Sequence, residues 1–272
     1  MAKKSQIMEK KRVVGKKKEK IKRMMTVSFL PSVFTTANLF LGFLALLQII
    51  KGNFLIAVYL ITAAAVMDGF DGTIARLMKS ESEFGFHLDS LVDAVSFGLV
   101  GAMLVYFFGF QTYFPQIGKV ISFVFLSAGV FRLARFNVLK DANAGSTNIF
   151  IGLPIPIACV AIGSGVLILQ AYQMPQRLQA LIFAAYSILI SLLMISNIPY
   201  RTVKKIAFRN NLRQLFVMAF CVAFLIMYPY YAIPLLTISY LMSPLLFLLL
   251  VKKVPAAEKT NEQDGDTAAP DG

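Results

Sequence analysis

The feature that most constrains this chain is a series of apolar runs, each near twenty residues long, following one another from residue 32 to residue 250. A hydrocarbon core of about 30 Å takes about twenty helical residues, and lipid offers no partner to bare backbone groups, so such runs are read as spanning helices. Eight can be laid down, over about residues 32–50, 54–77, 86–110, 118–136, 152–170, 178–197, 212–229 and 231–250. With 57% of its 272 residues hydrophobic, the chain has little left for a separate soluble domain. The expected architecture is all-α: a polytopic transmembrane helical bundle of about eight spans. One integral domain over residues 31–252 would lie between a basic tail (1–30) and a polar tail (253–272).

The net charge of +13 is unevenly spread, with eleven Lys/Arg inside residues 3–23 against only Glu9 and Glu19. No zinc-finger, helix-turn-helix or single-strand-binding pattern accompanies the run, so nucleic acid is not the expected partner. An anionic membrane surface is, with residues 13–30 forming an interfacial helix that hands over at Pro31. The run is too long for an ordinary signal-peptide start and no small-residue cleavage pattern follows, so it should be retained. Eight spans would put 24 Lys/Arg on one side and only Lys51, Lys119 and Arg177 on the other. The positive-inside rule then predicts a multi-pass protein of the cytoplasmic membrane with both termini on the cytoplasmic side. Cys159 and Cys221 both lie in apolar runs and read as buried thiols without a disulfide, while a single histidine rules out a His-rich or Cys/His zinc site.

Against this apolar background the acidic residues stand out. Only seven occur between Lys51 and Leu250, and four of them (Asp68, Asp71, Asp89, Asp93) fall within 26 residues at the edges of the second and third runs. Asp68 and Asp71 are three apart and share a helix face, as do Asp89 and Asp93, four apart. If the two helices are neighbours across the polar stretch 78–85, four carboxylates converge just inside the membrane, on the cytoplasmic side by the charge count. Such a cluster is costly unless paired, and two divalent ions with hard oxygen ligands, Mg²⁺ or Mn²⁺, would resolve both repulsion and desolvation. Gly69, Gly72 and Ala75 keep the second helix thin enough for a bulky group to approach, and Gly85 can supply the turn into the third. Arg76 suits a diphosphate, which a guanidinium grips through two donors; its blander reading is a salt bridge or a snorkelling side chain. Asn38, early in the first run, either faces the same cavity or ties two helices together. Two other classes are weighed against an enzyme. A divalent-cation channel or transporter should string acids along a path, whereas here they cluster at one level, and a nonenzymatic membrane organiser leaves the spacing unexplained.

The segment Asp68-Gly-Phe-Asp71-Gly72-Thr-Ile-Ala75-Arg76, followed after eight residues by Gly85-Phe-His-Leu-Asp89-Ser-Leu-Val-Asp93, resembles without a gap the signature DxxDGxxAR…GxxxDxxxD of the CDP-alcohol phosphotransferase family. The opening LPSVFTTANLFLG similarly resembles the family's first-helix pattern LPNxxTxxNxxxG, with Ser32 where Asn is usual. The resemblance covers about residues 25–250. It implies an integral membrane enzyme that displaces CMP from a CDP-linked lipid with an acceptor hydroxyl. It further implies that Asp68, Asp71 and Asp89 ligate one metal, and that Asp93 completes a second site and acts as general base. Thr35, Asn38, Asp68, Gly72, Ala75 and Arg76 would face the CDP moiety, and a homodimer is implied as well. His87 has no role in it. Direct in-line attack on the β-phosphate needs no protein nucleophile, and the chain offers no serine, histidine or cysteine candidate for one.

Acceptor choice lies outside the shared signature. FRLARFN (131–137) carries Arg132 and Arg135 three apart at the cytoplasmic end of the fourth run, where they could bind an acceptor carboxylate or the lipid phosphate, or merely serve the positive-inside rule. With FIGLPIPIA (150–158) and NLFLGF (38–43), it resembles the branch of the family whose acceptor is serine, and so implies phosphatidyl transfer from CDP-diacylglycerol to L-serine with release of CMP. The alternatives within the family are glycerol 3-phosphate and an inositol phosphate. Their extra phosphate asks for more converging cations, which Lys204, Lys205 and Arg209 could supply.

Overall fold

A computed structural model describes residues 29–77, 83–141, 149–172, 174–201, 223–225 and 227–251. Helix α1 (Phe29–Ile50) carries Pro31 in its first turn, where its missing N–H costs no intrahelical bond. A turn through Lys51, Gly52 and Asn53, with Gly52 at φ 79°, leads into α2 (Phe54–Leu77). Next come α3 (Glu83–Asp93), a π-helical turn (Ala94–Leu99) and α4 (Val100–Gly109), which together make one continuous rod. α5 (Pro115–Asp141) follows, then β1 (Ile149–Ile151), α6 (Ile155–Ala171), α7 (Gln176–Ile195), β2 (Pro199–Arg201) and α8 (Pro229–Val251), whose first residue is again a proline.

Four of these elements are long and apolar enough to cross a membrane: Val33–Ile50, Phe84–Gly109, Pro115–Leu139 and Gln176–Ile195. The chain is thus a multi-pass membrane protein, but the described residues do not reach the expected eight spans. The second run does form a helix over the expected 54–77, yet its apolar part, Phe54–Gly69, stops where the aspartates begin. The fifth yields only Ile155–Ala171, because residues up to Pro154 are drawn into an extended loop. The seventh falls mostly outside the described residues, as do the basic tail up to residue 28 and the polar tail from residue 252.

α1 packs along α2 and also against α3, the π turn and α4, while α6 sits centrally between α2, α7 and α8. The core they enclose is led by Phe97, Phe125, Phe183, Ile155, Ile162 and Leu167, all fully buried. Packing is close enough that a Cβ at Gly42 of α1 would lie 2.8 Å from Ser96 of the π turn, the kind of backbone approach that lets helices associate where no hydrophobic effect drives them. Outward side chains such as Phe40, Phe43, Phe123 and Leu192 are exposed and apolar, as lipid contact requires.

The all-helical expectation needs one addition. β1 and β2 form an antiparallel ribbon, Phe150 opposite Tyr200, which closes the loop before α6 onto the end of α7. Pro154 and Pro199 have no N–H and bias the residues before them to extended geometry, so the chain on both sides leaves the helix and pairs with itself.

Candidate active site

α2 and α3 bring Asp68, Asp89 and Asp93 together, with a carboxylate oxygen of each lying within 4.8 Å of the others. Asp93 is buried and the other two are half-buried. The carboxyls of Asp68 and Asp93 lie within hydrogen-bonding reach of each other, and like groups that close need a shared proton or a cation between them. Asp93 Oδ1 has no hydrogen-bond partner among the described residues. Asp71, Gly72, Ala75 and Arg76 ride on the last turns of α2, with Asp71 one turn beyond Asp68, but their side chains lie outside the described residues. Beside Gly69 the space is open: a Cβ there would meet no described atom within 4 Å.

The donor set fits a divalent ion. Three carboxylate oxygens from two rigid helices form a hard anionic cradle, and opposite ligands of an octahedral ion with bonds of about 2.1 Å lie about 4.2 Å apart, close to the observed spread. The buried Asp93 atom faces no described donor, which is what a ligand position requires.

Directly after Asp93 the helix widens into the π turn, where the Val100 amide bonds back to Val95. Insertions of this kind re-aim the side chains around them. Ser96 in this turn donates to the carbonyl of Asn38 at 3.5 Å, so α1 is held against the aspartate helix next to the site. Thr35 and Asn38 are both buried on that face of α1, and neither amide atom of Asn38 has a hydrogen-bond partner among the described residues. A buried amide in that condition is expensive unless a ligand completes it. His87 is exposed, tilted against Phe86 with ring centroids 5.5 Å apart.

The two arginines of α5 have different partners. Arg132 is 7% exposed, its guanidinium 5.5 Å from the ring of Phe136 and close enough to act electrostatically on Asp93, Asp68 and Tyr240. Arg135, expected to join it at the acceptor, donates to the carbonyls of Ile195 and Ser196 at 3.3 and 3.2 Å and to Asn197 Oδ1 at 3.1 Å, at the C-terminal end of α7. The carbonyls left over at a helix C-terminus are a strong acceptor for a guanidinium one turn along α5, and these contacts place Arg135 against α7.

Sequence reasoning missed the partners that fix the site. Ser90, between Asp89 and Asp93, donates to Asn137 Oδ1 at 3.2 Å and ties α3 to the end of α5. Ser90 lies inside the aspartate signature and Asn137 closes FRLARFN, but no spacing rule links residues 47 apart. Tyr240 of α8 gave no signal at all, one aromatic among many in an apolar run.

Residues 28–195, which include α1 through α7 and with them the aspartates and both arginines, match the family described as CDP-alcohol phosphatidyltransferase. The chain is similar to the CDP-diacylglycerol–serine O-phosphatidyltransferase of Helicobacter pylori (strain ATCC 700392 / 26695), 35% identical over 183 residues that make up 67% of this chain and 76% of the relative. It is similar also to the protein of that name from Mycobacterium tuberculosis (strain ATCC 25618 / H37Rv), 30% identical over 226 residues, 81% of this chain and 78% of the relative. An archaetidylserine synthase from Methanothermobacter thermautotrophicus is 34% identical over 181 residues, 66% of this chain and 72% of the relative.

Proposed function

The chain belongs to the CDP-alcohol phosphatidyltransferase family, a membrane transferase of phospholipid metabolism acting on a CDP-linked lipid and a polar headgroup acceptor, and from that premise we propose that the lipid is CDP-diacylglycerol and the acceptor L-serine. The observation that carries the acceptor is a buried cation, Arg132, within electrostatic reach of the Asp93 carboxyl. An amino-acid acceptor has a carboxylate for the guanidinium and a hydroxyl for the aspartate, and the two protein groups lie within electrostatic reach of each other. The relatives, two bacterial CDP-diacylglycerol–serine O-phosphatidyltransferases and an archaetidylserine synthase, support the same reading.

In this reading Asp93 accepts the proton of the serine hydroxyl as its oxygen attacks the β-phosphorus, and CMP leaves with the bonding pair. Asp68, Asp71, Asp89 and Asp93 hold two divalent ions, Mg²⁺ or Mn²⁺, which when bound supply neutralisation of the diphosphate charge. Thr35, Asn38, Gly72, Ala75 and Arg76 receive the CDP moiety, with the Asn38 amide, which has no hydrogen-bond partner among the described residues, as the strongest support. The aspartate corner faces the cytoplasm with both termini, across a bundle of eight spans over residues 31–252. The basic tail rests on anionic lipid, and the protein works as a homodimer.

The test is an acceptor panel. Purified protein with CDP-diacylglycerol, Mn²⁺ and L-serine should release CMP and form phosphatidylserine. Turnover only with glycerol 3-phosphate or an inositol phosphate would overturn the acceptor.

A further inference from the structure

We infer that Arg135 and Gly152 form a positioning clamp that sets Arg132 toward Asp93, so that acceptor affinity depends on a contact made one turn further along α5. This rests on the reading of Arg132 as the acceptor-carboxylate residue.

The last carbonyls of α7 have no intrahelical donors and must find others. Ser196 satisfies two of them, its amide bonding Leu192 O at 2.9 Å and its hydroxyl Leu193 O at 2.8 Å. The Leu153 amide reaches Leu193 O at 3.1 Å, and the Gly152 amide bonds Ile198 O at 3.0 Å. Arg135 takes the carbonyls of Ile195 and Ser196 and the Asn197 side chain. Three separate pieces of chain, from α5, the loop before α6 and the end of α7, therefore meet in one polar knot. Only glycine fits at its centre. Gly152 has φ 81°, and a Cβ there would lie 2.4 Å from Met194 O and 3.0 Å from both Ser196 O and Arg135 Nη2.

The knot connects back to the site by a second route. Tyr200, 1% exposed on the ribbon that the knot anchors, stacks on Tyr240 of α8, with ring centroids 5.6 Å apart and planes 12° apart. Tyr240 is in turn an electrostatic neighbour of Arg132. Arg132 and Arg135 are one turn apart on a single helix, so α5 ties the placement of one to the other, with the Tyr200–Tyr240 stack within electrostatic reach of Arg132. Asn137, two residues on, fixes the same turn to Ser90 of the aspartate helix. Loosening the Arg135 end gives Arg132 room to swing, and a misplaced guanidinium weakens acceptor binding without touching the CDP-lipid.

The experiment uses the full chain in lipid nanodiscs with Mn²⁺. It compares Arg135→Ala, Arg135→Lys, Arg132→Ala and the double alanine variant by serine KM, CDP-diacylglycerol KM and amide exchange at Gly152 and Leu153. Arg135→Ala should raise the serine KM about tenfold with little change for CDP-diacylglycerol, and Arg135→Lys, a point charge without the fork, should fall between. The double variant should be no worse than Arg132→Ala, because both changes remove one placement. Exchange at Gly152 and Leu153 should quicken in both Arg135 variants and stay unchanged in Arg132→Ala. Multiplying effects in the double variant would make Arg135 an acceptor ligand in its own right, and equal rises in both KM values would reduce it to general support; either overturns the inference. Unchanged exchange in the Arg135 variants would remove the clamp. An unaltered serine KM in Arg132→Ala alone would instead sink the acceptor reading, with the exchange data still deciding whether the clamp exists.

Discussion

The aspartate corner and the end of α7 are both polar knots in an apolar bundle, and they are built on opposite rules. At the end of α7 the exposed carbonyls are met by Arg135, Ser196 and the loop amides. At the aspartate corner like charges are gathered, and Asp93 Oδ1 and both amide atoms of Asn38 find no hydrogen-bond partner among the described residues. Buried polar groups carry their cost unless something completes them. The first knot is completed by the protein; the second holds polar atoms that the described residues leave incomplete, as the proposed ions and substrate would require.

The sharpest way to break that contrast is to remove what completes the aspartate corner. Chelation of divalent ions should abolish CMP release, with recovery on adding Mn²⁺ or Mg²⁺ and no change in helix content by circular dichroism; turnover persisting in chelator would mean that the carboxylates serve another purpose. Asp93→Asn comes next, with a fall in kcat of about 10²–10⁴-fold for loss of a general base and a melting temperature equal to or above that of the parent, since one like charge is gone. At the completed knot the expected effect is on stability. Gly152→Ala should cost about 1–3 kcal/mol, from a left-handed backbone position and from collision with the α7 carbonyls, seen as a lower melting temperature in detergent. Ser90→Ala should be milder, about 1 kcal/mol for one part-buried hydrogen bond, visible as a small rise in serine KM through the α3–α5 tie. A Ser90→Ala effect larger than that of Gly152→Ala would reverse the ranking of the two corners.

Much of this was legible before any coordinates. The second helix starts at Phe54 as expected, and the aspartate-bearing rod ran to Gly109 where about Phe110 was expected, because a change from apolar run to polar turn leaves little freedom in where a membrane helix stops. The three described aspartates converge as three- and four-residue spacing predicts for two adjacent helices. The different partners of Arg132 and Arg135 were not legible: two arginines one turn apart look alike in sequence, and what separates them is a helix end contributed by residues 60 positions later. FIGLPIP was noticed as a pattern, but its glycine has a reason only once Met194 and Ser196 stand against it. The π turn after Asp93 has no distinctive composition, since AVSFGL would serve equally in an α-helix.

By itself the sequence determined the membrane solvent, the lengths of the helices and the face on which each aspartate lies, since these follow from local composition and from the period of a helix. The tertiary structure decided which polar group completes which: Arg132 with the aspartates, Arg135 with α7, Ser96 with α1 and Ser90 with Asn137. The hydrogen-bonded pairings among these join residues 47 to 61 positions apart, and where water is scarce each donor takes whatever acceptor the packing delivers, a choice that no local pattern encodes.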